Sequence, residues 1–179
     1  MTFKATAHGN NFLNTGKCFF ILLDQSGKIG HRCQFDYGYF LFFQYISQKI
    51  HSTDLLLMGR NSYDIVRTFP EWPYGDKPVV VLTHRPAEPR PHVSFRQGAL
   101  AQVLGELWQE GARHIYLDGG EVVRQGLQAG LVDELTLFWV PVTLGRGVSL
   151  FAGTLPGRLT PVSSVVLPSG LVRVVYHPV

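Results

Sequence analysis

Residues Ile115 to Val140 read IYLDGGEVVRQGLQAGLVDELTLFWV. A short apolar run, Ile115 to Leu117, stops at Asp118-Gly119-Gly120, and apolar residues then recur at Val122, Val123, Leu127 and Leu131. That spacing, near 3.6 residues, marks a helix, so the stretch predicts a strand, a glycine turn and a helix N-terminus. Glycine lets a backbone approach a ligand closely, and the first N–H groups of a helix, at its positive dipole end, point where a phosphate would sit. A plain tight βα turn carries the same pattern, so the rest of the chain must decide between the two.

Working outward, the same geometry recurs. Asp54 to Met58 (DLLLM) reads as a buried strand, and Gly59-Arg60-Asn61-Ser62 opens a short helix that fades before Pro70. Pro78 to Thr83 (PVVVLT) is a third strand ending at Thr83-His84-Arg85-Pro86, and a short strand lies near Val93 to Phe95. Ala99 to Glu110 is an amphipathic helix with Leu100, Val103, Leu104 and Leu107 on one face, closed by Gly111. Toward the N-terminus, Cys18 to Leu23 (CFFILL) reads as a strand buried on both faces, followed by the turn Asp24 to Gly27 and by Lys28-Ile29-Gly30. Asp36 to Ile50 predicts an aromatic-rich helix with Asp36 as N-cap. Residues 1–16 are polar and read as a loose tail ahead of a single domain over 17–179. Beyond the central stretch, Glu134 to Val142 is a strand, Leu144-Gly145-Arg146-Gly147 a glycine turn, and Pro161 to Leu167 with Leu171 to His177 a β-hairpin.

Strand and helix therefore alternate four times before strands follow alone. The expectation is an α/β fold: a mainly parallel central sheet with helices on both faces and an antiparallel C-terminal hairpin at the edge. In such sheets the ligand crevice lies outside the carboxyl ends of the strands. Three polar turns fall there: Gly59 to Ser62, Thr83 to Arg85, and Gly119 to Val122.

The chain has 179 residues, 45% of them hydrophobic, enough for one domain with a full core. It has no apolar run near the roughly 20 residues of a membrane-crossing helix and no apolar centre like that of a signal peptide in its first residues, so a cytoplasmic protein is expected. Only Cys18 and Cys33 are present, and seven histidines lie scattered without ligand spacing, which predicts neither a disulfide framework nor a metal site. Sixteen basic against thirteen acidic residues give +3. Arg60, Arg67, Arg85, Arg90 and Arg96 are interleaved with Asp64, Glu71, Asp76 and Glu88, a distribution that suits a pocket for a small polyanion better than a groove for nucleic acid.

LLLMGRNSYDIV, FPEWPYGDKPVVVLTHRP and HIYLDGGEVVRQGLQAGLVDELTLFWVPVTLGRGVSLF resemble, in this order and spacing, the dihydrofolate reductase-like family. That family includes the C-terminal reductase domain of the bifunctional riboflavin-biosynthesis deaminase-reductase. The DYGY motif of its stand-alone bacterial members is present as Asp36 to Tyr39. The resemblance runs from about Cys18 to the end and implies NADPH as cofactor. Gly119, Gly120, Glu121 and Val122 would hold the diphosphate, and Gly59, Arg60, Asn61 and Ser62 the adenosine end. Arg60 would meet the 2′-phosphate, Thr83, His84 and Arg85 the adenine ribose, and Ile29 and Gly30 the nicotinamide ring. It also implies a homodimer, for which Phe138, Trp139 and Leu150 offer apolar surface.

The chain departs from the family where substrate would lie. Relatives carry SLDG after the first strand, whereas this sequence reads LLDQSGKIG, and the segment between DYGY and MGR is longer. Asp36 is either a helix cap or the group that anchors or protonates the substrate, and Asp24 is the alternative acid. Tyr37, Tyr39, Phe43 and Trp72 form either a stacking wall or core. The expected activity is NADPH-dependent hydride transfer to a small planar heterocycle, pterin-like or a pyrimidine of the 5-amino-6-ribosylaminouracil type, without a metal. The alternative is a nucleotide-binding protein of the same fold without catalysis, serving as a sensor or interaction domain.

Overall fold

Hydrogen-bonded pairing of apolar runs organises the described part of the chain around one eight-stranded sheet. The computed structural model describes residues 2–6, 48–69, 71–139, 151, 157–168 and 170–179. In chain order the strands are β1 (Thr2–Thr6), β2 (Leu55–Gly59), β3 (Val79–Leu82), β4 (Val93–Arg96), β5 (His114–Asp118), β6 (Glu134–Trp139), β7 (Leu159–Val166) and β8 (Val172–Pro178). The helices are α1 (Arg60–Val66), α2 (Leu100–Gln109) and α3 (Gly120–Gln128). Across the sheet the order is β4-β3-β2-β5-β1-β6-β8-β7. Pairing is parallel from β4 through β6, and antiparallel where β6 meets β8 and β8 meets β7. The expected α/β architecture with its antiparallel C-terminal hairpin is therefore observed.

The expected loose tail is corrected at Thr2–Thr6. These residues form β1, hydrogen-bonded between β5 and β6, with Phe3 in register with Ile115 and Lys4 with Glu134. TFKAT carries too weak a local signal to announce a strand. Two flanking strands each offer it a ladder, and that tertiary pairing decides its conformation. The strand expected at Cys18 to Leu23, the turn Leu144 to Gly147 and most of the helix expected over Asp36 to Ile50 lie outside the described residues; the helix's last residues, 48–50, are described and are helical.

Two apolar layers cover the sheet. On one face Leu55, Leu57, Val80, Ile115, Leu117 and Leu135 pack against Leu100, Val103, Leu104 and Leu107 of α2 and Val122, Val123 and Leu127 of α3. On the other, Leu56, Met58, Val79, Val81, Tyr116 and Phe138 meet Ile50, Tyr63 of α1, and the partly buried Trp72 and Tyr74. The alternation along β2 and β5 follows the period of two in a strand, and continuous apolar runs are what burial on both faces requires. Phe138 is 2% exposed in the second layer, so it belongs to the core and not to a subunit surface.

Asp54 fixes the amino-terminal end of the sheet. Its carboxylate accepts the backbone N–H groups of Arg113 and His114 at 2.7 and 2.8 Å, tying the start of β2 to the start of β5. Those two donors hold its pKa below the usual carboxylate value. With that end anchored, β2 and β5 run in register to Met58 and Asp118, and their exits lie side by side.

Candidate cofactor and substrate crevice

Register places the first and third predicted turns against each other. β2 leaves the sheet at Gly59 into α1, and β5 leaves it at Asp118 into α3 through Gly119. Gly119 adopts φ +92°, a region that residues with a Cβ rarely enter, and a Cβ there would stand 2.5 Å from Ser62 Oγ. A Cβ on Gly59 would touch Val122 Cγ2 at 3.4 Å. Gly119 is the glycine this close approach requires, because at Gly59 a Cβ would make only an ordinary van der Waals contact.

The N-terminus of α3 is electrostatically open. Its first intrahelical bond is Val123 N–H to Gly119 O at 3.0 Å, and no side chain caps it. The N–H groups of Gly120, Glu121 and Val122 thus point out of the helix with no partner among the described residues. Val122 itself is 2% exposed, so its side chain is core and only its N–H faces the crevice. The Glu121 carboxylate turns along the helix to Arg124 and to Gln125 Nε2, the latter at 2.9 Å, which keeps its charge away from those donors. Free donors, a positive dipole end and the absence of a Cβ at Gly119 and Gly120 fit an anionic diphosphate.

The second turn, Thr83 to Arg85, follows β3 beside Arg60. Thr83 is buried, and its hydroxyl accepts the Arg85 N–H at 3.1 Å, which folds the exposed His84 and Arg85 over the strand end. Arg60 binds both oxygens of Asp64 through Nε, at 2.8 and 2.9 Å. Its Nη1 donates to the carbonyls of Arg85 and Pro86. Only Nη2 of Arg60 has no partner among the described residues. Arg85 is held more loosely, by one 3.3 Å bond from Nη2 to Asn61 Oδ1. The two guanidinium groups and Asn61 therefore sit together, with Arg60 acting as a tie between α1 and the turn after β3, and Arg85 as the exposed cation. Asp24, Ile29, Gly30 and Asp36 lie outside the described residues.

Asp118 is the site residue that pattern reading left without a role. It is 6% exposed and, sharing parity with Tyr116, faces the second layer, near enough to Tyr74 for its charge to act on that phenol. Burial raises its pKa to about 7, with the Gly119 N–H bond pulling the other way. Burial also pushes the Tyr74 phenol well above its ordinary value, and the Asp118 charge adds to that shift. The result is a carboxyl that holds or releases a proton near neutrality at the carboxyl end of a central strand. Its position directly before Gly-Gly, two residues after a buried tyrosine, was the signal available in the sequence.

The profile of the RibD C-terminal domain family matches residues 44–173. Among curated proteins the chain is 32% identical over 119 residues to YwjB of Bacillus subtilis, covering 65% of this chain and 64% of that one. The chain thus spans just under two thirds of that relative's length. A solved structure of a protein assigned to riboflavin biosynthesis in Shewanella sp. PV-4 superposes with a TM-score of 0.72 at 26% identity, over 100% of this chain and 99% of that one. Dihydrofolate reductase of Enterococcus faecalis, solved with NADP(H), shares the fold with a TM-score of 0.60 at 16% identity, over 99% and 96% of the two chains. Among the described residues no helix is long and apolar enough to cross a membrane, and no group of metal-ligating side chains is present. With its dihydrofolate reductase-like sheet and the family profile spanning most of its length, the chain belongs to the RibD C-terminal domain family.

Proposed function

We infer that the protein is an NADPH-dependent reductase of a small planar heterocycle, pterin-like or pyrimidine-like. The observation that carries this reading is the open N-terminus of α3 above Gly119-Gly120, set beside a buried carboxyl of near-neutral pKa. A bound nicotinamide dinucleotide supplies a hydride, and the protein's own groups must bind it, exclude water and provide the accompanying proton. The N–H groups of Gly120, Glu121 and Val122 hold the diphosphate. Arg85, with Nη2 of Arg60, meets the 2′-phosphate, because a guanidinium makes paired charge-assisted bonds to phosphate oxygens. Asp118 in its neutral form gives the proton, so the substrate gains one hydride and one proton across a reducible double bond.

Calorimetric titration with NADPH and NADH tests the cofactor half. Arg85→Ala weakens NADPH by about tenfold, the scale of one charged hydrogen bond, and leaves NADH unchanged. Arg60→Ala lowers both the affinity and the melting temperature, because it also releases Asp64 and the Arg85–Pro86 carbonyls. A parent protein that binds neither nucleotide removes the reading. Tight NADPH binding without turnover of any reducible pterin or pyrimidine moves the protein to the sensor or interaction role.

A further inference from the structure

The second face carries polar groups that have no full set of partners among the described residues. The indole Nε1–H of Trp72 is buried with no acceptor. Among the described residues the Tyr74 hydroxyl has no hydrogen-bond partner and the Asp118 carboxyl has the Gly119 N–H alone, while the Asp118 charge acts on the Tyr74 phenol. The two rings stand almost perpendicular, at 88° with centroids 5.1 Å apart, so one presents an edge where the other presents a face. They are held from behind. Arg90 lies over Trp72 at 4.5 Å, and Tyr63, fixed by its hydroxyl on Glu88 O at 2.8 Å, meets Trp72 edge-on at 6.3 Å. A buried N–H without an acceptor costs its full desolvation, which a ligand carbonyl reaching the indole would relieve, and aromatic side chains with a few polar groups are the usual make-up of a small-molecule site.

We propose that Trp72 and Tyr74 are specificity-determining residues of the reductase, meeting with Asp118 the amide-like edge of a planar heterocycle in which a ring N–H stands beside a ring carbonyl. Trp72 Nε1–H donates to the carbonyl, Asp118 takes the ring N–H, and the Tyr74 hydroxyl closes the edge while its ring packs on the heterocycle. This rests on the reductase reading for the site's purpose, and on the side chains alone for its chemistry.

The test uses 5-aminouracil and 6-methylpterin as probes, titrated calorimetrically into the full chain with and without NADP+. Trp72→Phe keeps a ring under Arg90 and removes only the N–H, and Tyr74→Phe removes only the hydroxyl. The expected result is that at least one probe binds and that Trp72→Phe weakens it about fivefold to tenfold with nucleotide affinity unchanged. N-methylation of the probe, as in 1,3-dimethyluracil, abolishes the binding. Tyr74→Phe gives a smaller loss of the same kind and serves as the readout should Trp72→Phe fail to fold. Probe affinity unchanged in both variants overturns the proposal and places the indole N–H on the Tyr74 ring as an internal contact. Failure of both probes to bind the parent overturns it as well. Should nucleotide binding fail while probe binding still depends on Trp72, the cofactor reading falls and this one stands.

Discussion

Asp118 is uncharged or charged at neutral pH according to small changes around it, and that has a consequence for stability as well as chemistry. Its pKa rises on folding from 3.8 to about 7 because burial penalises the carboxylate. Below pH 4 the group is protonated in both states and costs nothing. As pH rises past 4, the unfolded chain gives up the proton and the folded chain does not, so stability falls until the folded group titrates near 7 and then levels. At about 1.4 kcal/mol per pH unit, the loss is on the order of 4 kcal/mol across that window. Asp118→Asn carries no such charge. Its urea midpoint is therefore flat between pH 4 and 7 while the parent's declines, and at pH 8 it is the more stable protein even as reductase turnover drops. Parallel midpoint curves for parent and variant would show that Asp118 does not resist ionisation.

At the scale of elements, the turns between strand and helix carry the site, and the contact between them is more demanding than either turn alone. Gly119→Ala meets both the positive φ and Ser62 Oγ, and should cost about 3 kcal/mol in urea unfolding. Adding Ser62→Gly removes the collision and leaves the backbone strain, so the double variant recovers only part of the loss. A Gly119→Ala protein as stable as the parent would mean that the two turns are not packed as described. Much of this level was legible beforehand, because apolar runs such as LLLM and VVVL, ending at glycine or at a polar turn, specify buried strands and their exits. β1 was not legible, since its conformation depends on ladders supplied by residues over a hundred positions away, such as His114. The site was legible as residue types and not as bonds. Arg60 reads as a phosphate ligand from its chemistry, yet Asp64 stands four residues on and the helix brings the two together. Asp118 stands directly before the Gly-Gly turn, and β-strand parity sets its side chain in the layer of Tyr116, away from α3.

Among the described residues the sheet has two outer strands, β4 and β7, and β7 is the edge whose sequence suits a second copy. Val162, Val165 and Val166 are exposed along it, Val166 at 71%. An edge strand presents unpaired N–H and C=O groups, and natural edges usually carry charge, notably lysine, to prevent pairing. β7 reads LTPVSSVV and carries none. Its Pro161 and the register shift between Pro161 and Ser163 spoil only the start of the strand, leaving Ser163 to Val166 able to pair. We propose a homodimer joined at β7: of the three residues expected to give its surface, Phe138 is core, Trp139 is half-buried and Leu150 lies outside the described residues. Sedimentation velocity at micromolar concentration should give a dimer, and Val166→Lys should shift it to monomer without altering NADPH affinity, because the crevice lies at the carboxyl ends of β2 and β5, across β1, β6 and β8. A monomeric parent removes the dimer. A Val166→Lys protein that remains dimeric moves the contact away from this edge.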